Sequence, residues 1–423
     1  MPSTLALKLA ESTHHTLDWP FNWPDFPKRT TNPRHTPTTT KAPSLPTNEE
    51  ENRIPRNPKM AEQQQKPRRR IPLHPSTALT LTDLTTTAPF HRSTPHPMVL
   101  GEGPIYRASD STLHWFSCLP DPSTTPPTPP SLQILRVDPE TGLAASGEVA
   151  RVVPLSESVT VAAFRAGKPG SYVCAYYAGI AWMDEETGQL EVVKEIVPQG
   201  ERGERRMNDG GVDAKGRFWV VEIDWAAMAR YAAMRKKKSS GDGGLEEVEA
   251  GGEEPKARLW RFDPDGSLHE ILSGGLAGGN GLAWSPDNKV MYVNDSPRGL
   301  VYAFDFDLES GSIANKRVLV DRSSSYGDPD GMVVDTEGNL WMAGLASDRV
   351  MVFSPQGEHL RDILLPARNP SCTAWGGKDF DILYMATGKD WANESDDKDG
   401  GGHMYMFKPG GGVKGFAKHA FAG

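Results

Sequence analysis

From about Met98 onward the chain is written in short apolar runs broken by Gly, Asp, Ser and Pro, the pattern of half-buried strands and tight turns. One unit recurs: an apolar stretch, a polar turn, then an aromatic-rich stretch. It is read in GPIYRASDSTLHWFSC, VAAFRAGKPGSYVCAYY, GGVDAKGRFWVVE, GLAWSPDNKVMYVND, GMVVDTEGNLWMAG and CTAWGGKDFDILYMATG. Each is followed by a second hairpin with a D/S/K-P-x-G-like turn or a near relative, from LQILRVDPETGLAA in the first repeat to HMYMFKPGGGVKGFAKHAF in the last. Six inner and six outer hairpins then alternate, with Gly and Asp supplying the backbone geometries of tight reversals.

A four-stranded unit repeated six times predicts an all-β six-bladed β-propeller over residues 98–421, because ring closure protects the sheet edges. Two insertions interrupt the period. LPDPSTTPPTPPS (119–131) lengthens the first blade and is expected to be a PPII-like loop. The charged, Gly-rich segment 235–256 separates the two hairpins of the third blade and reads as a surface loop; its sharper reading is a lid or a partner-binding loop. Residues 1–92 are rich in Pro and Thr without sustained periodicity and are expected to form a disordered extension. Inside it, QQQKPRRR reads as part of a solvated tail rather than a nuclear signal or an anion contact, and Met60 offers a second start.

Composition narrows the function classes. Of 423 residues 24 % are charged and the formal net charge is −9, the wrong sign for a nucleic-acid binder. No apolar run approaches the roughly 20 residues of a membrane span. The first twenty residues lack a signal-peptide core, so a cytoplasmic protein is expected, a nuclear one only through the basic cluster. Cys118, Cys174 and Cys372 are odd in number and lack CxxC spacing, which predicts buried thiols rather than a disulfide framework or zinc site. The sequons at Asn294 and Asn393 read as chance matches.

Four inner strands are preceded by a polar residue at nearly one phase: Glu102 in LGEGP, Asn208 in RMNDGG, Asn280 in GGNGLAW and Asp330 in GDPDGMV. First strands line a propeller's channel, so these residues are expected to converge at one end of the axis, with adjacent glycines admitting close backbone approach. Each alone could merely cap a strand-start turn; the shared phase favours a site. Two carboxylates and a carboxamide oxygen suit one divalent cation, with Ca²⁺ preferred and Mg²⁺ or Mn²⁺ as alternatives. Paired His or Cys for structural zinc is missing, although Zn²⁺ can still bind.

The motifs LGEGPIY, RMNDGGVDAKGRFWV, GNGLAWSPDNKVMYVNDS, DPDGMVVDTEGNLWMA and NPSCTAWGGKDFDILYMATG, in this order, resemble the SMP-30/gluconolactonase/LRE-like family over residues 100–421. The resemblance implies a six-bladed propeller and a divalent-metal lactonase acting on a small sugar lactone. It implies Glu102, Asn280 and Asp330 as metal ligands and Arg206 and Asn208 as substrate-binding residues. Asp330 is also expected to act as general base on the attacking water. Asp209 reads as a turn former. Tyr106 stands where the family more often has Trp, and VVEIDW (220–225) departs from the animal members, which leaves substrate choice open. Two other functions fit the pattern: a non-catalytic calcium-binding or protein-interaction propeller, and a phosphotriesterase or aryl esterase on the same metal. Neither a G-x-S-x-G elbow nor a G-x-G-x-x-G turn is present, and DPDGSLHE and SDDKDGGG lack EF-hand spacing.

Overall fold

The computed structural model describes residues 79–94, 96–239, 253–325, 327–390 and 400–423. Six sheets, each built from consecutive antiparallel strands, follow one another along the chain. Blade 1 holds Gly101–Arg107, Thr112–Ser117, Ser131–Arg136 and Arg151–Pro154. Blade 2 holds Val159–Phe164, Ser171–Tyr176, Gly179–Asp184 and Leu190–Glu195. Blade 3 holds Arg205–Val212, Phe218–Asp224, Ala257–Phe262 and Leu268–Leu276, and blade 4 Gly279–Trp284, Val290–Asp295, Leu300–Asp307 and Ser312–Asp321. Blade 5 holds Asp328–Val334, Leu340–Leu345, Arg349–Phe353 and His359–Leu364; blade 6 holds Asn369–Gly376, Ile382–Gly388 and Met404–Phe407. First strands adjoin in cyclic order, blade 6 returning to blade 1, so the predicted six-bladed propeller is the fold.

The turns form as their residue types dictate. In blades 3 and 5 one carboxylate organises the first hairpin. Asp213 Oδ1 accepts the Lys215 and Arg217 amides, and its Oδ2 takes the Trp219 indole N–H at 2.8 Å. Asp335 does the same for Glu337, Asn339 and Trp341. These are the D-x-x-G-x-Φ-W stretches of the repeat, so turn and inter-blade packing share one residue. Outer turns use Asp138, Asp184 and Asp307, whose carboxylates accept the amide three residues on at 2.7–2.8 Å. The core lies between blades, where Trp219 of blade 3 packs edge-on against Trp284 and Phe306 of blade 4.

Four expectations are corrected. The last outer hairpin does not form: only Met404–Phe407 pairs, and the outer position beside it is filled by an isolated bridge from His91. Blade 6 is thus closed by chain that precedes blade 1. Second, the boundary at residue 92 is too late, because Thr80–Asp83 forms a strand parallel to His359–Leu364 of blade 5. The remainder of the expected extension, with QQQKPRRR and Met60, lies outside the described residues. Third, the 119–131 insertion folds back on itself, Asp121 and Thr128 exchanging both backbone hydrogen bonds at 2.8 and 3.0 Å, instead of extending as PPII. Fourth, the 235–256 insertion is entered through a helix, Trp225–Ser239, that the pattern did not announce; residues 240–252 lie outside the described set. No helix among the described residues is long and apolar enough to cross a membrane. All three cysteines are free and buried, as expected.

Candidate metal and substrate site at the channel mouth

Every first strand breaks register at the same level. The shifts fall at Glu102/Ile105, Val159/Val161, Met207/Gly210, Asn280/Leu282, Pro329/Met332 and Pro370/Cys372. A bulge leaves its extra residue out of the ladder and re-aims it, and here six bulges do so at one end of one channel. The bulged and flanking positions carry Glu102, Thr160, Asn208, Asp209, Asn280, Asp330 and Ser371.

Four of these side chains share one local device, an acceptor followed by glycine whose amide donates back to it. The Gly103 amide donates to Glu102 Oε2 at 3.4 Å, Gly210 to Asp209 Oδ1 at 2.6 Å and Gly281 to Asn280 Oδ1 at 3.0 Å; Gly331 donates to Asp330. Glycine is also demanded by space. A Cβ at Gly281 would stand 2.5 Å from the Asp330 carbonyl oxygen, and one at Gly331 2.4 Å from Cys372 Sγ. Hydrogen bonds stitch the blades at this level: Thr160 Oγ1 donates to the Asn208 carbonyl, Asn208 Nδ2 to the Gly279 carbonyl at 2.9 Å, Asn294 Nδ2 to the Asp330 carbonyl and Ser371 Oγ to the Gly101 carbonyl.

Electrostatics show which side chains meet. Burial, then the charges of Asp330 and Asp209, push the Glu102 carboxyl well above the usual range. Asp330 is likewise raised, by burial first and by Asp209 next, while a side-chain hydrogen bond from Asn280 opposes the shift. Burial raises Asp209 to about 6. Asp330 of blade 5 and Asn280 of blade 4 are therefore in contact, with Glu102 of blade 1 within electrostatic reach of Asp330. Asp209 joins them from inside the strand Arg205–Val212, so its reading as a turn former is corrected.

Arg206 is buried, not a surface arginine. Its guanidinium lies 5.3 Å from the Trp225 ring centroid and donates to Asn208 Oδ1 at 3.3 Å. Asn208 is partly spent on structure, which leaves one amide hydrogen and one lone pair for a ligand. The helix Trp225–Ser239 flanks this group. Asp224 fixes both ends of the insertion, accepting the Ala227 amide at 3.0 Å and the Lys256 amide at 2.8 Å. Arg235 ties the helix to blade 5, donating to the Ser325 and Gly327 carbonyls and pairing with Asp328, two residues before Asp330.

The donor set holds acceptors left without partners, which suits a cation. Buried Asp330 Oδ1 and buried Asn294 Oδ1 have no hydrogen-bond partner, and the neighbouring carboxylates repel one another. Among the described residues no group of three or more His, Cys, Asp and Glu is arranged to hold an ion by itself, so the set depends on amide oxygen, first that of Asn280. Oxygen donors with excess negative charge fit a hard divalent cation. Sequence reasoning missed Thr160, Ser371 and Asn294. Asn294 was legible in principle, because it stands directly across the hairpin from Asn280, and its complete burial explains why its sequon is incidental. Asn393 lies outside the described residues.

Comparison with known proteins places the chain among relatives of the same fold. Residues 100–389 match the SMP-30/Gluconolactonase/LRE-like region, which includes all five expected site residues. Regucalcin from Danio rerio is 32 % identical over 219 residues, a match spanning 52 % of this chain and 65 % of that protein. The 6-deoxy-6-sulfogluconolactonase of Pseudomonas putida is 29 % identical over 295 residues, covering 70 % of this chain and 85 % of that enzyme. The solved structure of a luciferin-regenerating enzyme superposes with a TM-score of 0.61 at 26 % identity, over 77 % of this chain and 96 % of the other. With the matched segment running from the first channel strand to the last hairpin, the chain belongs to the SMP-30/gluconolactonase/LRE-like family.

Proposed function

We propose that this protein is a divalent-metal-dependent hydrolase that opens a small sugar lactone at the channel mouth. The observation that carries the reading is the meeting of Glu102, Asn280 and Asp330, with Asp330 Oδ1 buried and without a hydrogen-bond partner. The lactonase named among the relatives supports the substrate class. Glu102, Asn280 and Asp330 would hold the ion, which when bound supplies Lewis-acid polarisation of the ester carbonyl. Ca²⁺ is the preferred ion, with Mg²⁺, Mn²⁺ or Zn²⁺ as alternatives.

The chain's own residues do the rest. Asp330 accepts a proton from water as its oxygen bonds to the carbonyl carbon. The ring C–O bond then breaks and the proton passes to the departing ring oxygen, leaving a hydroxy acid. Arg206, desolvated and aligned over Trp225, presents guanidinium donors to ring hydroxyls, and Asn208 offers its remaining amide hydrogen. These two residues orient the ring without entering the bond changes.

Acid release from a panel of aldonolactones, before and after chelation, tests this reading. Hydrolysis should vanish in EDTA and return with one of the four cations. Cation binding without turnover on any lactone would make the protein a binding propeller, and turnover confined to phosphotriesters or aryl esters would change the substrate class. Arg206→Ala is expected to raise KM about 10- to 100-fold with a smaller change in kcat, read from initial rates.

The carboxyl shifts predict a pH signature in the metal-free protein. Glu102, Asp209 and Asp330 are all raised, so the folded state keeps protons that the unfolded state has released. This destabilisation is absent below about pH 4 and grows as pH rises through the folded values, Asp209 near 6. A cation needs the ionised forms and cancels the repulsion. The gain in Tm on adding Ca²⁺ should therefore be larger near pH 8 than near pH 5, by differential scanning calorimetry. An equal gain at both would contradict the cluster.

A further inference from the structure

The last residues of the chain do not end at a blade edge. Gly415 bridges to Asp335 at the turn of blade 5, and Phe421 bridges to Arg165 at the turn of blade 2. Both turns lie at the end of the channel opposite the bulges, since they follow the first strands that begin there. In a ring of six, blades 2 and 5 face each other, so the segment between these bridges spans a diameter. The reach from Gly415 to Phe421, about 20 Å if fully extended, suffices for a propeller channel. Lys418 is its midpoint.

We propose that residues 416–420 cross the far end of the channel and that Lys418, at the middle of this crossing, sets a positive charge beneath the carboxylates that lowers their affinity for cations. This rests on reading the mouth as a cation site. The Lys418 charge lowers the pKa of Asp209 in blade 3 and of Cys372 in blade 6, another facing pair of blades, so it lies within electrostatic reach of both sides of the channel. The thread is tightly held at both ends. The Thr336 amide donates to the Lys414 carbonyl at 2.8 Å and the Gly415 amide to the Phe380 carbonyl at 2.8 Å. A Cβ on Gly415 would fall 1.9 Å from Trp375 Cδ1. At the other end Phe421 exchanges hydrogen bonds with Phe164 and Ala166, each 2.8 Å, and the Ala422 amide donates to the Gly216 carbonyl at 3.0 Å.

The charges of Glu102, Asp330 and nearby Asp209 attract cations to the site, the more highly charged ones most. The Arg206 charge acts on Glu102 and the Lys418 charge on Asp209, and both offset that charge.

The test is calorimetric titration of the metal-stripped full-length protein with Ca²⁺ and with La³⁺, near pH 8 and at low ionic strength. Lys418→Met should bind Ca²⁺ about tenfold more tightly than wild type, and La³⁺ by a larger factor, because the repulsion scales with the ion's charge. The difference should shrink as salt is added. Lys418→Arg, which keeps the charge, should match wild type, and Lys418→Gln should repeat the methionine result. Because the Lys418 side chain is exposed, the variants should melt with wild type. If wild type binds and the neutral variants bind equally or more weakly, this inference falls and the metal site stands. If wild type binds neither ion, the reading of the site falls and takes the inference with it.

Discussion

Asp330→Ala is expected to abolish lactone hydrolysis, by about a thousandfold or more, and to remove divalent-cation binding while the propeller stays folded. The carboxylate serves as ligand and proton acceptor at once, so no neighbour replaces it. Fold retention follows from which atoms pack. The neighbouring blade is tied to the Asp330 backbone carbonyl through Asn294, and alanine keeps that carbonyl. The metal-free variant should even be somewhat more stable above about pH 6, because a buried carboxylate facing Glu102 and Asp209 is lost. Asp330→Asn separates charge from shape, keeping a group able to bond Asn280 yet unable to take the proton. Calorimetric cation titration and acid-release assays on the same samples decide the matter; activity within tenfold of wild type would sink Asp330 as the base.

The second large effect is on stability. Phe421→Ala should cost about 3–5 kcal/mol, the range for an aromatic side chain removed from a packed core. Its ring is buried, stacked on Phe262 at 5.3 Å with 10° between planes, and 5.6 Å from Trp182. It thereby wedges blade 2 against blade 3 from the far end. Urea unfolding should show the midpoint fall with the slope unchanged. A loss below about 1 kcal/mol would mean the tail is a loose end that the blades do not need. Lys418→Met leaves this wedge intact, so the two variants separate anchoring the tail from placing its charge.

Each level of the molecule was legible to a different depth. The D-x-x-G-x-Φ-W stretches around Asp213 and Asp335 announced turn, strand and buried Trp together, because all the interactions are within a few residues. Glu102, Asn280 and Asp330 were found through a shared phase. Asp209 was misjudged because NDGG looks like a turn, although it carries the same acceptor–glycine device as the other three. Thr160 and Ser371 were passed over because their contacts are to carbonyls of other blades. The helix Trp225–Ser239 escaped because its neighbour in sequence is a charged, Gly-rich run; the Asp224 cap on Ala227 is local, but the bonds that dock the helix, Asp224 to Lys256 and Arg235 to Asp328, reach partners 32 and 93 residues away.

The sequence by itself determined the strand period, the repeat count, the turn chemistry and the oxygen-donor character of the channel residues, since each is set by spacing and residue type along one short stretch. Tertiary structure decided how the ring closes, with His91 beside Met404 and Thr80–Asp83 on blade 5. It also decided where the tail runs and which carboxylates face each other. Those outcomes depend on segments hundreds of residues apart meeting through ring closure, and local periodicity carries no information about which distant edges will be left open to receive them.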